Sequence, residues 1–349
     1  MATQDQRPLS EALPPAAALV QMITGSWVSH AVSAAARLGV ADVLKDGPKS
    51  SEELAPAVGV DARALYRLLR ALTSVGLFVE DEDSRFSLTP LGTYLRSDVP
   101  GSLRAAALYF GSEELSRAWS HLSHSVQTGH PAFDHVFGMG SFEYFAHHPE
   151  IGRVFNEAMT GLARQRAAAV VAAYDFSGLR KIVDVGGGQG ELLTAVLKAH
   201  PTITGVLFDL PATITSAQQN IAAADLTGRC TLMAGDFFVA VPSGGDAYVL
   251  STVIHDWLDD KATVILQNCH RAMGKNGRLL LIERVLPSRV ERSATLHPYT
   301  SLADLMMMVI GGQERTEAEF CALYAHAGFT LTRVIPTQSP FSVIEGVRV

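Results

Sequence analysis

Acidic residues recur in this sequence at the ends of short apolar runs, and a histidine follows the fourth such run. Asp184, Asp209 and Asp236 each close or follow a run of this kind, and His255 comes shortly after the run that ends at Ser251. Carboxylates accept hydrogen bonds and attract cationic groups, and a neutral imidazole takes up a proton near neutral pH. The four side chains therefore predict a site for a polar, partly cationic ligand beside a general base.

The first of these acids precedes a glycine-rich turn. Asp184 is followed by glycines at 186, 187, 188 and 190, and then by an apolar pattern of helical spacing. Glycine tolerates positive φ and leaves bare backbone for a ligand, and the helix start adds unpaired N–H groups. The spacing is not that of a dinucleotide fingerprint, because the third glycine would fall at Glu191 or Leu192. An ordinary strand–turn–helix is the alternative interpretation.

A strand–helix alternation positions these residues, and we assign it to a C-terminal domain of residues 174–349. The predicted strands are 181–186, 204–209, 230–235, 246–251 and 278–283, with two more at 329–335 and 341–348. Such alternation produces a mostly parallel sheet, and ligands bind beyond the carboxyl ends of its strands. The predicted fold class is therefore α/β, with a Rossmann-like sheet.

The N-terminal part predicts helices followed by a β-hairpin, which is typical of a winged helix. A DNA-binding regulator is unfavourable, because residues 40–100 contain 7 basic and 10 acidic residues and Glu80–Asp83 falls in the wing. No charged residue occurs between Glu11 and Arg37, yet prolines and polar residues interrupt this stretch. We therefore predict burial against a second subunit rather than a bilayer span. A dimerisation domain is assigned to 1–102 and a helical linker lining the substrate pocket to 103–173, with a loop at about 129–141.

Composition excludes several classes of protein. The net charge of −7 gives no general attraction for nucleic acid, and the three cysteines show no metal-binding or disulfide spacing. The first residues lack a signal-peptide pattern, so we expect a cytoplasmic enzyme with neither nucleic acid nor membrane as a partner. Six histidines between 121 and 148 are interpreted as surface or pocket-lining residues in preference to a metal cluster.

Several motifs together resemble one family, the dimeric small-molecule O-methyltransferases. It includes plant caffeic acid and flavonoid enzymes, hydroxyindole O-methyltransferase and bacterial polyketide-tailoring enzymes. The motifs are the glycine loop, Phe208–Pro211, Gly235–Phe238, His255–Trp257 and Gly311–Thr316, in the order and spacing of the family. The resemblance covers nearly the whole chain and includes the winged-helix region.

The resemblance implies S-adenosylmethionine as cofactor, S-adenosylhomocysteine as product and no metal. It implies that Asp184, Gly186 and Gly188 hold the methionine end of the cofactor and Asp209 its ribose. Asp236 and Phe237 would hold the adenine, with Trp257 nearby. His255 would be the general base, oriented by Glu283 and Glu314. The structural alternatives are an ion pair of Glu283 with Arg284, and a cap or an ion pair with Arg315 for Glu314.

The expected reaction is direct, in-line methyl transfer to a hydroxyl, with a phenol as the expected type, of an aromatic small molecule in secondary metabolism. Met159 and Met308 could line an apolar substrate slot or belong to the core, and Asp304 could contact substrate or cap a helix. Nitrogen or carbon methylation, and a homologue with decarboxylase or hydroxylase activity, are the alternatives. One departure is Ser251, where plant members carry a lysine four residues before the histidine.

Overall fold

The structure is a computed structural model that describes residues 14–289 and 300–349. The chain forms two compact units, of which one comprises Met1–Ser116 with Arg153–Ala158 and the other Arg117–Gly152 with Met159–Val349. This division does not coincide with the domain boundaries expected after residues 102 and 173, which stay predictions.

The first unit is mainly helical. Its helices are α1 (Pro15–Ile23), α2 (Gly25–Leu38), α3 (Val40–Val43), α4 (Ser51–Val58), α5 (Ala62–Ser74), α6 (Arg104–Phe110) and the start of α7 (Glu113–Ser120). A capping box between Ser50 and Glu53 starts α4, and the Asp61 side chain caps α5. Because α5 places leucines at helical spacing, Leu65 and Leu69 are buried in the core of this unit.

A small sheet completes the first unit. Its strands are β1 (Lys49–Ser50), β2 (Phe78–Glu80) and β3 (Arg85–Leu88), in the order β1-β3-β2. The predicted hairpin is the antiparallel β2–β3 pair, and the winged-helix assignment itself stays a prediction. Helices α1 and α2 leave large apolar side chains exposed in the single chain: Met22 and Ile23 are each 69% exposed, and Trp27 is 71% exposed.

The second unit contains the central sheet. Its helices are the end of α7, α8 (Leu122–Thr128), α9 (Ala132–Phe137), α10 (Ser141–His147), most of α11 (Pro149–Ala173), α12 (Glu191–Ala199), α13 (Pro211–Ala223), α14 (Asp259–Ala272), α15 (Thr300–Ile310) and α16 (Glu317–His326). Its strands are β4 (Lys181–Val185), β5 (Thr204–Asp209), β6 (Cys230–Ala234), β7 (Ala247–Ser251), β8 (Arg278–Glu283), β9 (Val285–Leu286), β10 (Arg315–Thr316), β11 (Phe329–Pro336) and β12 (Ser342–Arg348). The expected loop at 129–141 is wrong in part, because α9 lies within it.

The seven strands of the large sheet follow the order β11-β12-β8-β7-β4-β5-β6. Strands β8, β7, β4, β5 and β6 are parallel, and β12 and β11 are added antiparallel at one edge. The predicted, mostly parallel α/β sheet is confirmed. The chain order reverses beside β4, so the loop after this strand begins at the topological switch point where such sheets bind ligands.

Helices cover both faces of this sheet. One core contains Ile182 and Val249 together with apolar residues of α12 and α13, and the other contains Val183 and Val185 with residues of α14 and α16. The short parallel pair β9–β10 brings the segment before Arg315 back to the end of β8. Within the described residues, no helix combines the length and the apolar character that crossing a membrane requires.

Candidate active site

The loop after β4 has an open backbone surface. Gly186, Gly188 and Gly190 have φ values of +68°, +59° and +78°, which side-chain-bearing residues rarely adopt. A Cβ atom built on Gly188 would meet no atom within 4 Å, so a ligand could approach the backbone here. This geometry fits the methionine end of S-adenosylmethionine, which the sequence predicts to lie against Gly186 and Gly188.

Asp209 fixes the glycine loop from the end of β5. Its Oδ2 accepts the Gly188 N–H at 2.9 Å, and its Oδ1 accepts the Leu210 N–H at 2.7 Å. A carboxylate oxygen has two lone pairs, so each oxygen keeps one for a further donor. Asp209 therefore retains the capacity to accept bonds from ribose hydroxyls that the sequence predicts.

Asp184 is buried directly under the glycine loop. This residue is 1% exposed and faces a small apolar cavity lined by Leu192, Leu193 and Val249, among others, and within the described residues neither carboxylate oxygen has a hydrogen-bond partner. A Cβ atom on Gly187 would lie 2.6 Å from its Cγ, so the carboxylate lies directly under the loop. Burial, with a smaller effect from Asp209, raises the pKa of Asp184 to about 7. Asp184 therefore lies beneath the loop, and its expected contact with the cofactor stays a prediction.

Aromatic residues cluster beside the loop after β6. The exposed Asp236 accepts the Phe238 N–H at 2.8 Å through Oδ1, which fixes the turn that presents Phe237. The Phe237 and Phe238 rings lie 4.9 Å apart, and the Trp257 ring packs edge-on against Phe238 at 4.8 Å. A Cβ built on Gly186 would be 3.5 Å from the Phe237 ring. The structure thus brings Phe237 to the glycine loop and Trp257 against the two phenylalanine rings, which fits a site for a flat ring such as adenine.

His255 lies in a 3₁₀ turn after β7 and is surrounded by carboxylates. Its Nδ1 is 3.2 Å from Glu314 Oε1 and 3.6 Å from Glu283 Oε2, and its Nε2 is 3.5 Å from Asp256 Oδ1. The imidazole is 12% exposed and the side chains of Glu283 and Glu314 are fully buried. The predicted grouping of His255 with the two glutamates is therefore present in the structure.

Backbone hydrogen bonds place both glutamates. Glu283 Oε1 accepts the N–H groups of Val253 and Ile254 at 3.0 and 2.9 Å, which leaves Oε2 directed toward the imidazole. On the other side, the Gln313 N–H donates to the His255 carbonyl at 2.8 Å. A Cβ on Gly312 would be 2.1 Å from that same carbonyl oxygen, so only glycine permits this close approach.

The ion pairs proposed as alternatives differ from those observed. Arg284 pairs with Glu314 at 3.0 Å rather than with its neighbour Glu283. Arg315 is 1% exposed and donates to the Asp259 carboxylate and to the carbonyls of Ile254 and Trp257, so it supports the turn that carries His255.

The carboxylates shift the protonation equilibria of the whole cluster. Burial disfavours the imidazolium, but Glu283, Asp256 and Glu314 outweigh it and raise the pKa of His255 to about 9. Burial raises the pKa of Glu283 to about 7 and that of Asp256 to about 6. For Glu314 burial is opposed by His255 and Arg284, and its pKa is lowered. The cluster therefore holds a strongly basic imidazole beside a glutamate that stays ionised.

Three residues are expected to contact substrate: Asp304, Met159 and Met308. Asp304 Oδ1 accepts the Glu314 N–H at 3.0 Å, which accounts for this polar residue by its support of Glu314. Met159 and Met308 are half-buried, on α11 and α15 respectively. Substrate contact by all three stays a prediction.

Two residues near the site were not singled out from the sequence. Asp256 entered only as part of the His255–Trp257 motif, although its Oδ1 lies 3.5 Å from His255 Nε2. Arg166 reaches the end of β7 and donates from Nε to Ser251 Oγ and from Nη2 to Thr252 Oγ1, both at 3.0 Å. Sequence spacing held no signal for Arg166, because its partners lie more than eighty positions further along the chain.

One group of side chains in this site could ligate a metal ion. In the part of the chain that the structure describes, His255, Glu283 and Glu314 form a group whose ligand atoms lie within 4.8 Å of one another. The expectation that the site needs no metal stays a prediction. Among the histidines of 121–148, the rings of His124 and His135 stack at 3.9 Å.

The glycine loop at the switch point and the histidine–glutamate cluster together define a Rossmann-like methyltransferase. An O-methyltransferase domain profile matches residues 119–330, and an O-methyltransferase dimerisation domain profile matches residues 20–98. The chain therefore belongs to the S-adenosylmethionine-dependent O-methyltransferase family, as the sequence motifs predicted.

Curated relatives include both oxygen and nitrogen methyltransferases. The phenazine O-methyltransferase PhzM of Lysobacter antibioticus is 46% identical over 335 residues, which cover 96% of this chain and 96% of that protein. The phenazine-1-carboxylate N-methyltransferase of Pseudomonas aeruginosa is 38% identical over 321 residues, which cover 91% and 92%.

Solved structures agree with this assignment. The crystal structure of LaPhzM has a TM-score of 0.91 at 46% identity and covers 97% of this chain and 100% of that chain. The O-methyltransferase NcsB1 from neocarzinostatin biosynthesis, in complex with S-adenosylmethionine and 2-hydroxy-5-methyl naphthoic acid, has a TM-score of 0.75 at 34% identity. The matched part is 92% of this chain and 96% of NcsB1. The predicted cofactor is thus confirmed for the family.

Proposed function

We propose that this chain methylates a hydroxyl group of a planar aromatic small molecule, with His255 as the general base. The observation that carries the proposal is the position of the imidazole, which lies between Glu314 on the Nδ1 side and Asp256 on the Nε2 side. A carboxylate that accepts the Nδ1 proton leaves the Nε2 lone pair available for a proton from the acceptor.

The cofactor supplies an electrophilic methyl group on a sulfonium, which is already a good leaving centre. The task of the protein is therefore to align the acceptor oxygen and to remove its proton. Gly186 and Gly188 would support the methionine end, Asp209 would accept bonds from the ribose, and Asp236 and Phe237 would flank the adenine. Trp257 closes the aromatic side of this site.

The carboxylates stabilise the imidazolium that forms when His255 takes up the acceptor proton. Glu314 is the nearest of the three carboxylates, since its Oε1 is 3.2 Å from Nδ1, and His255 together with Arg284 lowers its pKa. Glu283, held by two backbone N–H groups, keeps the ring from rotating away. This arrangement favours an acceptor whose proton must be removed before or during methyl transfer.

The acceptor class is inferred from the relatives and from the site. Phenazine and naphthoate rings, which appear in the names of relatives and neighbours, are planar and fused. Met159 and Met308 would provide adaptable apolar contacts to such a ring. Nitrogen methylation is the second candidate, because two relatives at 38% and 36% identity carry N-methyltransferase names.

We also infer a homodimer that forms through the N-terminal region. The dimerisation profile at 20–98 and the exposed apolar residues Ile23 and Trp27 support this inference. The expected partners are thus a second copy and a small aromatic acceptor, in the cytoplasm, with neither nucleic acid nor membrane bound.

Incubation with S-adenosylmethionine and matched acceptors tests the function. A hydroxyphenazine, an aminophenazine and phenazine-1-carboxylate would be compared by mass spectrometry, and we expect a gain of one methylene on the hydroxyl compound. His255→Gln should abolish most of this turnover, whereas the exposed control His326→Gln should retain it. Methylation of the amine alone, or full turnover by His255→Gln on a phenol of ordinary pKa, would contradict the proposal.

A further inference from the structure

Arg166 places a positive charge at the end of β7, beside the residue that replaces the lysine of plant members. Its guanidinium donates from Nε to Ser251 Oγ and from Nη2 to Thr252 Oγ1, each at 3.0 Å. The Arg166 guanidinium also lies over the Phe341 ring, 4.7 Å from its centre. Arg166 therefore brings a positive charge from α11 to the end of β7.

Among the described residues, Arg166 makes no direct ion pair of the kind that Arg164 and Arg284 make. Arg164 forms a bidentate pair with Glu191 at 2.9 Å, and Arg284 pairs with Glu314 at 3.0 Å. In the same part of the chain, the side chain of Arg166 donates its hydrogen bonds to hydroxyl groups. Burial lowers the pKa of Arg166 to about 10, so it stays protonated at neutral pH. A half-buried guanidinium with neutral partners has capacity for an anionic ligand.

The backbone is strained at Thr252, which accepts one of the two hydrogen bonds from Arg166. Thr252 has a φ of +53°, which is costly for a β-branched residue and is found where the surrounding structure imposes it. The next residue, Val253, is adjacent to the glycine loop, since its Cγ2 is 2.9 Å from a Cβ built on Gly186. Arg166 is therefore bonded to the two residues that precede Val253, which contacts the loop where the methionine part of the cofactor is expected.

We infer that Arg166 binds the α-carboxylate of the methionine moiety of S-adenosylmethionine. This inference rests on the proposed function, because it takes the cofactor site to be the glycine loop. The carboxylate is the only anionic group of that cofactor, and guanidinium binds it in a bidentate way. Ser251 and Thr252 orient the guanidinium from below.

Binding of two product analogues tests this role without turnover. Isothermal titration would measure Kd for S-adenosylhomocysteine and for its decarboxylated analogue, with wild type, Arg166→Gln and the neighbouring control Arg164→Gln. A hydrogen-bonded ion pair contributes roughly 1.5–3 kcal/mol, so we expect Arg166→Gln to weaken S-adenosylhomocysteine about 10- to 100-fold. The affinity for the decarboxylated analogue should change less than about 3-fold, and Arg164→Gln should alter both ligands alike.

The possible outcomes separate this inference from the function on which it rests. Equal weakening of both ligands by Arg166→Gln would show a structural role and overturn the inference, as would no weakening of either. Wild type that bound neither ligand would overturn the proposed function as well. If Arg166→Gln does not fold, Arg166→Met keeps the packing against Phe341 and allows the same comparison of ligands.

Discussion

Replacing Glu314 by glutamine removes a charge from the imidazole of His255 while its shape is kept. Glu314 is the partner to change because its pKa is lowered and it therefore stays ionised at neutral pH. The three carboxylates overcome burial and raise the pKa of His255 from 6.5 to about 9. This difference corresponds to about 3.4 kcal/mol, so the loss of one of three partners should lower the pKa of His255 by roughly one, or about 1.4 kcal/mol.

The direction of the effect on activity follows from the proton that His255 must accept. Only the neutral imidazole is a base, so kcat/KM rises with pH through the pKa of His255, and Glu314→Gln moves this rise to lower pH. The maximum rate should fall, because a weaker base removes the acceptor proton less readily. The assay is kcat/KM from about pH 6 to 9.5, with His255 titrated separately by nitrogen NMR of labelled enzyme.

An exposed control and a clear contrary result make this experiment decisive. Glu317→Gln alters a nearby surface charge and should leave the pH profile unchanged. The acid limb of the profile is the rise of kcat/KM with pH through the pKa of His255. If Glu314→Gln leaves this acid limb at the wild-type pH, or moves it to higher pH, the proposed effect of the carboxylates on His255 is refuted.

Further predictions follow from individual positions. The pKa of Asp184 is raised from 3.8 to about 7, so this carboxyl ionises at lower pH in the unfolded chain and the free energy of unfolding falls as pH rises between these values. The melting temperature of Asp184→Asn relative to wild type should therefore increase as pH rises from about 5 to 8. Its Kd for S-adenosylhomocysteine should change little. Gly312→Ala would place a Cβ 2.1 Å from the His255 carbonyl oxygen, so it should lower kcat and should lower the free energy of unfolding by about 1–3 kcal/mol. Gly178→Ala, which has open space around its Cβ, should change neither. Trp27→Lys should shift the protein from dimer to monomer in a sedimentation experiment. A variant that stays dimeric would contradict the assignment of the interface to the exposed face of α2. Binding of the cationic S-adenosylmethionine should lower the pKa of His255 and release more protons than binding of S-adenosylhomocysteine. Calorimetry in buffers of different ionisation enthalpy would measure the protons released, and equal release by the two ligands would contradict this prediction.

The strands were predictable because local signals and tertiary structure agree. The β4 prediction of 181–186 differs by one residue from Lys181–Val185, since an aliphatic run ends at a glycine. Helix α9 was missed because Gly129, Pro131, Gly138 and Gly140 surround it and indicate a loop. This short helix packs against α15, a contact with a distant segment that local sequence does not encode.

The site was predictable where a motif fixes both position and direction, as for His255 and Asp209. For Asp184 the contact with the cofactor stays a prediction, because strand alternation puts this residue on the same face as Ile182, toward the apolar core of α12. The pairing of Arg284 with Glu314, in place of its neighbour Glu283, depends on how the segment after α15 returns to β9. Directions of this kind come from packing between distant segments rather than from spacing.

The carboxylate cluster also distinguishes the two acceptor classes that occur among the relatives. A phenol has a pKa of about 10, so proton transfer to an imidazole with a pKa of about 9 is nearly balanced in free energy. A neutral aromatic amine already presents a lone pair to the methyl group and can lose its proton after the transfer. The acid limb set by His255 should therefore appear with hydroxyl acceptors and be weak or absent with amines. The cost of burying Glu283 and Glu314 beside one imidazole is consequently of most use to an enzyme that methylates oxygen.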